Sequence, residues 1–273
     1  LSGYTEDEKL KIARQYLVPK QIKENGISEK HIDITDSGLK FLIENYTREA
    51  GLRNLERLVG TVCRKVARKI AEGETGKVVV TGKKKKKMLG PQVYSREDAQ
   101  DRDEVGISTG LAWTQAGGEI LYIETSLYKG KGSIILTGQM GDVMKESAQA
   151  AMSYIRSNAH RYGIDEKVCM EHDVHVHIPA GAIPKDGPSA GLAMATAIVS
   201  RLLNIPVRKD VAMTGEVTLT GKALPIGGLK EKSLAAMRHG ITKVIIPFKN
   251  LKDLEDIDEE YRKHFEFIPV KHL

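Results

Sequence analysis

Two cysteines in 273 residues, Cys63 and Cys169, lie far apart and lack metal-ligand spacing. They read as buried thiols in a reducing compartment, which fits a cytoplasmic protein. Aromatic residues are scarce as well, at 5%, with a single tryptophan. No apolar run is long enough for a membrane helix, and the first thirty residues are charged throughout, with none of the apolar stretch of a secretory leader. A phosphate loop of the form G-x-x-x-x-G-K-S/T is also missing: Gly138-Gln139-Met140-Gly141 is followed by Lys145 at the wrong distance. The chain therefore carries no nucleotide-hydrolysing loop of its own. It starts on Leu1 rather than Met, which points to a piece of a longer protein.

The net charge of +6 is unevenly placed. Residues 1–87 hold 20 Lys/Arg against 12 Asp/Glu, and five of those cations are the run Lys83 to Lys87. The remainder is slightly acidic, so nothing there advertises a nucleic-acid surface. The lysine run could touch phosphate, but it reads first as a solvated linker.

Pattern divides the chain in two. Acids follow Thr5, and Leu10, Ile12, Ala13, Tyr16 and Leu17 recur at helical spacing. A second helix is expected from a cap near Asp36, and a third from about Leu52 to Ala71. Residues 73–90, with glycines around three valines, then the lysines and Gly90-Pro91, read as a linker or boundary. Beyond Val93, strands and helices interleave. Strands are expected around Gly106 to Trp113, at Ile120 to Thr125 after a turn at Gly117-Gly118, in KGSIILTG, VHVHIP, VAMTGEVTLTG, ITKVIIP and FEFIPV. Helices are expected from Lys145 to Ala159, from Ser189 onward, in GLKEKSLAAMRHG and in the acidic LKDLEDIDEEYRKH. The expected architecture is α+β overall: a small all-α domain at 1–82, a linker at 83–92, and an α/β-like domain with a mixed sheet at 93–273.

The centre of interest is HIPAGAIPKDGPSAGL, His177 to Leu192. A strand end gives way to a loop punctuated by Pro179, Pro184 and Pro188, and an apolar, Ala-rich helix opens at or beside Ser189. A serine there can simply cap the helix. It also stands beside unpaired backbone N–H groups and the positive helix end, where a developing oxyanion is stabilised. Gly187-Pro188-Ser189-Ala190-Gly191 matches the G-x-S-x-G elbow, but no strand runs straight into this serine and no oxyanion loop of the HGGG type exists. A Ser-His-Asp arrangement would need His239 or His264, both in ordinary helix-end settings.

Lys232 is a second candidate. Its helical neighbours Gly228, Leu229, Ala235 and Ala236 are small or apolar, so its amine would be desolvated near a positive helix end. Both effects lower a lysine pKa, as a neutral general base requires. Lys230 points away and is the weaker choice. Thr214, before a glycine turn, could orient a lysine or only make a turn hydrogen bond. Asp186 could cap the loop or act electrostatically on the site. His175 and His177 share a strand face, which two metal ligands could exploit, yet no further ligand group is evident; a role in the site wall is preferred, with no metal.

The strings PKDGPSAG, MTGEVTLTGKALPIGGLKEK and HVHIPAGAIP closely resemble the Lon family of ATP-dependent proteases of bacterial type. The likeness extends over essentially the whole chain, and the 43 residues between Ser189 and Lys232 fit the family's dyad. The resemblance implies that Ser189 is the nucleophile and Lys232 the general base of a serine endopeptidase. It implies that Thr214 and Asp186 are active-site neighbours, that Glu124 in YIETS is close by, and that His175 and His177 lie on the adjoining strand. Residues 1–75, with YTREAGLRNLER, resemble the helical lid of the ATPase module, where Arg53 matches the sensor-2 arginine that approaches ATP phosphate. By the same resemblance, the full-length protein uses ATP with Mg, degrades unfolded polypeptide in quality control and stress, and assembles as a homohexameric ring. This piece would carry no cofactor of its own. Two other classes stay open on the residues alone: a Ser-His-Asp esterase, and a non-catalytic assembly module in which Ser189 only caps its helix.

Overall fold

A computed structural model describes residues 4–47, 49, 51–81, 89–90, 102–114, 117–179 and 185–273. The chain divides into two compact units, Leu1–Glu97 with Gln115–Gly117, and Asp98–Thr114 with Gly118–Leu273. The boundary expected at 83–92 and the run Lys83 to Lys87 lie almost wholly outside the described residues.

In the first unit, Thr5 opens helix α1 (Glu6–Ile12) with a reciprocal cap: its hydroxyl accepts from Glu8 N, and the Glu8 carboxylate accepts from Thr5 N. One widened π-helical turn, Ala13–Leu17, leads into α2 (Val18–Glu24). Pro19 explains the turn, since proline has no N–H to give and crowds the carbonyl four residues back. Strand β1 (Ile32–Ile34) precedes α3 (Asp36–Tyr46), whose cap is Thr35, with Oγ1 accepting from Gly38 N. Helix α4 (Arg53–Ala71) buries Leu55, Val59, Val62, Cys63 and Val66 on one stripe. The three valines between the glycines are a strand. They form β2 (Val78–Val80), which pairs in parallel with β1, Ile32 opposite Val78, so the helical unit carries a small β element.

The second unit is built on a seven-stranded mixed sheet. Its strands and helices follow in the order β3 (Glu104–Val105), β4 (Ile107–Thr114), β5 (Gly117–Lys129), β6 (Ile134–Thr137), α5 (Asp142–Ser157), α6 (Glu166–Glu171) and β7 (His172–His177). Then come α7 (Gly191–Leu203), β8 (Pro206–Val207), β9 (Val211–Met213), β10 (Glu216–Val217), β11 (Ala223–Leu224), α8 (Leu229–Arg238), β12 (Lys243–Pro247), α9 (Glu259–Arg262) and β13 (Glu266–Val270). The sheet order is β13-β12-β9-β4-β5-β7-β6, with β3 paired to β8 and β10 to β11 outside it.

Alternation along the strands supplies two cores. Val211 and Met213, with Leu121, Ile123, Val174 and Val176, pack under Ala148, Met152, Leu192 and Ile198 of α5 and α7. Ala212, Val244, Ile246, Leu111 and Ile120 face the other way, under Leu229 and Ala236 of α8. The sheet is thus covered on both faces.

Two expectations need correction. The acidic segment read as a final helix is instead a 3-10 helix, Phe248–Asp256, followed by the single turn α9. Leu251, Leu254 and Ile257 recur every three residues, and three residues per turn is the 3-10 repeat. Ser189 does not cap a helix either. It sits inside a 3-10 turn, Pro188–Ala190, ahead of α7, and neither element has a side-chain cap bond at its start.

Candidate active site

Strand β9 is central, parallel to both β12 and β4. Residues just past its C-terminal end stand where the two helical layers converge, the usual place for a site in such sheets. Thr214 is that next residue, fully buried, with its N–H bonded to Ile245 O on β12.

From one face, the turn at Pro188–Ala190 brings Ser189 to this point. Its carbonyl accepts from Gly215 N at 2.8 Å and from Thr214 Oγ1 at 3.2 Å. Gly191 follows with no room for a side chain, since a Cβ there would stand 2.9 Å from Val217 N and 3.0 Å from Ser147 Oγ. From the other face, α8 delivers Lys232. Its side chain is buried, 2% exposed, and Nζ donates to Thr214 Oγ1 at 3.1 Å. Burial is the sole cause that lowers its pKa, from 10.5 to about 8. The Thr214 hydroxyl therefore uses its proton on Ser189 O and a lone pair on Lys232, bridging the two layers. Ser189 itself is half-buried, and among the described residues its hydroxyl is not engaged in a cap.

Asp186 takes up another position. Its Oδ1 accepts from Met144 N at 3.0 Å and from Gly187 N at 2.8 Å, so the carboxylate caps helix α5 from outside. Gly141 precedes that helix, and a Cβ at 141 would lie 2.4 Å from Asp186 Cγ. The loop before Ser189 is in this way tied down on α5. Residues 180–184 of the same loop lie outside the described residues.

Glu124, His175 and His177 share the sheet face that carries Ile120 and Tyr122, at its exposed end. Glu124 stands opposite His177 across the β5–β7 ladder. Thr137 Oγ1 lies 2.8 Å from His175 Nε2 and 2.7 Å from His177 Nδ1, which accounts for both rings. Arg53, exposed, is the first residue of α4 in the other unit. Beside it the Glu49 carboxylate accepts from Asn54 N and Leu55 N. The histidines of the triad reading are engaged elsewhere: His239 Nδ1 lies 3.0 Å from Ala235 O, and the His264 ring packs edge-on against Phe265.

Gly118 is not marked by the sequence as part of the site, and Gly228 is marked only as a small neighbour of Lys232. Gly228 opens α8 with φ +70°, and its carbonyl accepts from Lys232 N. The doubled glycines at 117–118 and 227–228 were the available signal, but they read as turns.

Family models match the chain along nearly its whole length. The Lon protease AAA+ ATPase lid domain matches residues 23–79, and the Lon protease (S16) C-terminal proteolytic domain matches residues 79–273. Among curated relatives, a Lon protease of Geobacter metallireducens is 59% identical over 271 residues, covering 99% of this chain and 33% of that protein. Lon proteases of Trichlorobacter lovleyi and Brevibacillus choshinensis are 57% and 55% identical over all 273 residues, covering 34% and 35% of those proteins. The chain spans about a third of the length of the curated relatives it matches. A lid followed by a mixed-sheet proteolytic domain, at these identities, means that the chain belongs to the Lon protease family.

Proposed function

We propose that the second unit is a Ser-Lys endopeptidase in which Lys232 is the general base and Ser189 the nucleophile. The observation that carries this reading is the buried amine of Lys232, lowered to about 8 and bridged by Thr214 to the serine residue. At pH 7.5 such a lysine is neutral in about a quarter of molecules, whereas an ordinary one is neutral in roughly one in a thousand. The neutral amine takes the Ser189 proton as Oγ attacks the peptide carbonyl. The backbone N–H of Ser189, just ahead of α7, meets the developing oxyanion. Lys232 then protonates the leaving amine, and water, deprotonated by the same lysine, releases the acyl group and restores Ser189.

Substrate enters as extended, unfolded chain. Strand β6 is an edge of the sheet, and just past it Met140 bridges to Lys185, four residues before Ser189. A peptide pairing with that edge runs toward the serine. In the full-length protein, this peptidase works in a homohexameric ring in the cytoplasm and is fed by an ATPase using Mg. Arg53, exposed at the start of α4, is the residue here that fits an approach to ATP phosphate; the rest of a nucleotide site is not in this sequence. ATP supplies the force for unfolding, and no step of the peptidase chemistry passes through it. Among the described residues no helix is long and apolar enough to cross a membrane.

The test is cleavage of an unfolded fluorogenic polypeptide between about pH 6 and 10, bracketing the lowered lysine. We expect activity that rises with a midpoint near 8 and is lost in both Ser189→Ala and Lys232→Ala. Full activity in Lys232→Ala would refute the dyad, and with loss in His239→Ala it would restore the triad.

A further inference from the structure

The base is held by more than its own helix. Gly118, buried near the start of β5, lies against the backbone of α8 where that helix carries Lys232. A Cβ built on Gly118 would stand 1.9 Å from Glu231 O, 2.4 Å from Glu231 C and 2.9 Å from Lys232 N. All three are backbone atoms, so no side chain can turn aside to make room. The Gly118 carbonyl meanwhile accepts from Arg238 Nη2 at 2.9 Å, near the end of the same helix. One residue of β5 thus touches α8 at two places, and one of them is the amide of the base.

We propose that Gly118 is a positioning residue for Lys232: the missing side chain lets β5 seat directly on the Glu231–Lys232 peptide, and this seat, closed by Arg238, sets where the lysine amine stands. The inference rests on the Ser-Lys reading for its catalytic consequence but not for its geometry.

Strand β5 is anchored in the sheet, beside β4 and paired to β7 from Glu124 to Lys129. Helix α8 has no ladder to hold it and is the element that yields. Relieving a 1.9 Å contact to the 3.0 Å that real Cβ atoms tolerate moves it by roughly 1 Å. Two consequences follow at Lys232. Nζ loses its geometry on Thr214 Oγ1, and a displacement of about 1 Å at a reacting group costs roughly 100-fold in rate. Water also reaches an amine whose depressed pKa comes from burial alone, so its titration rises toward 10.5.

The experiment compares the chain with Gly118→Ala and with Arg238→Met, which leaves the steric fit at Gly118 intact and removes the bond to Gly118 O. Competitive trace acetylation across pH, read peptide by peptide by mass spectrometry, gives the Lys232 titration whatever its role; kcat and KM are measured on unfolded polypeptide. In Gly118→Ala the Lys232 titration moves up, kcat falls roughly 100-fold and KM changes less than about twofold. Arg238→Met moves both in the same direction by a smaller amount. A folded Gly118→Ala chain with an unshifted Lys232 titration and unchanged kcat overturns the proposal. Should that variant not fold, an unshifted titration in Arg238→Met overturns it alone. A shifted titration together with full activity in Lys232→Ala leaves the seat standing and removes the dyad.

Discussion

Lys232 Nζ and Thr214 Oγ1 stand 3.1 Å apart in a place sealed from water, the lysine 2% exposed and the threonine 0%. That hydroxyl is the only polar group among the described residues bonded to the lysine amine. It also holds Ser189, through the Ser189 carbonyl at 3.2 Å. One small side chain past the end of a central strand therefore links two helical layers.

Replacing Thr214 with valine keeps the volume and removes the link. Lys232 then has no acceptor and Ser189 O keeps one donor, Gly215 N. A hydrogen bond to a charged group contributes about 1.5–3 kcal/mol, so kcat falls roughly 10- to 100-fold in Thr214→Val. Thr214→Ser keeps the hydroxyl and recovers most of the rate. Steady-state kinetics on an unfolded substrate decide it. Equal rates in the valine and serine variants would show that the hydroxyl is not used.

Burying an ammonium works against stability, and the sign can be followed with pH. The folded-state pKa of Lys232 is near 8, below the 10.5 of the unfolded chain. Between these values the unfolded state holds a proton that the folded state does not, so stability rises with pH across that window. Below about 8 both states are protonated and the full cost, up to about 3 kcal/mol, is present. Lys232→Met is accordingly inactive yet more stable than the parent at pH 7, and the difference shrinks toward pH 10.5. Urea midpoints of the two chains at pH 7 and pH 10 measure this. A constant difference would mean that the lysine is not charged at pH 7 or not buried.

Much of this was legible from local pattern. The run after Ser189, the small and apolar neighbours of Lys232, and the short apolar runs of β9 and β12 point to burial and to a helix start, because those signals repeat within a few residues. Other features were not local. Ser189 suits a cap by composition, but Pro188 takes the first position of the turn and the helix begins past Ala190, which leaves the hydroxyl outside the capping role. Gly118 looks like the second residue of a turn; its use is set by α8, more than a hundred residues later. The acidic segment was misread by its charge, where its three-residue apolar repeat was the better guide. Asp186 carries a capping aspartate's chemistry, yet the helix it caps starts more than forty residues earlier.

That cap makes a prediction separable from the lysine. Helix α5 is preceded by Gly141, which has no side chain to satisfy the Met144 amide, and Asp186 Oδ1 does so across the loop. Asp186→Ala leaves that amide and Gly187 N without their acceptor, at a cost of about 1 kcal/mol, the usual value of an N-cap. The loop then loses its tie to α5, and the turn that follows, Pro188–Ala190, is held mainly through Ser189 O. We expect faster hydrogen exchange at the Met144 amide and a lower kcat, with the Lys232 titration unmoved because burial of that amine is set on the other face of the sheet. Gly141→Ala should reproduce the effect from the opposite side, since its Cβ would collide with Asp186 Cγ. Unchanged exchange at Met144 in both variants would show that the carboxylate does not hold the loop.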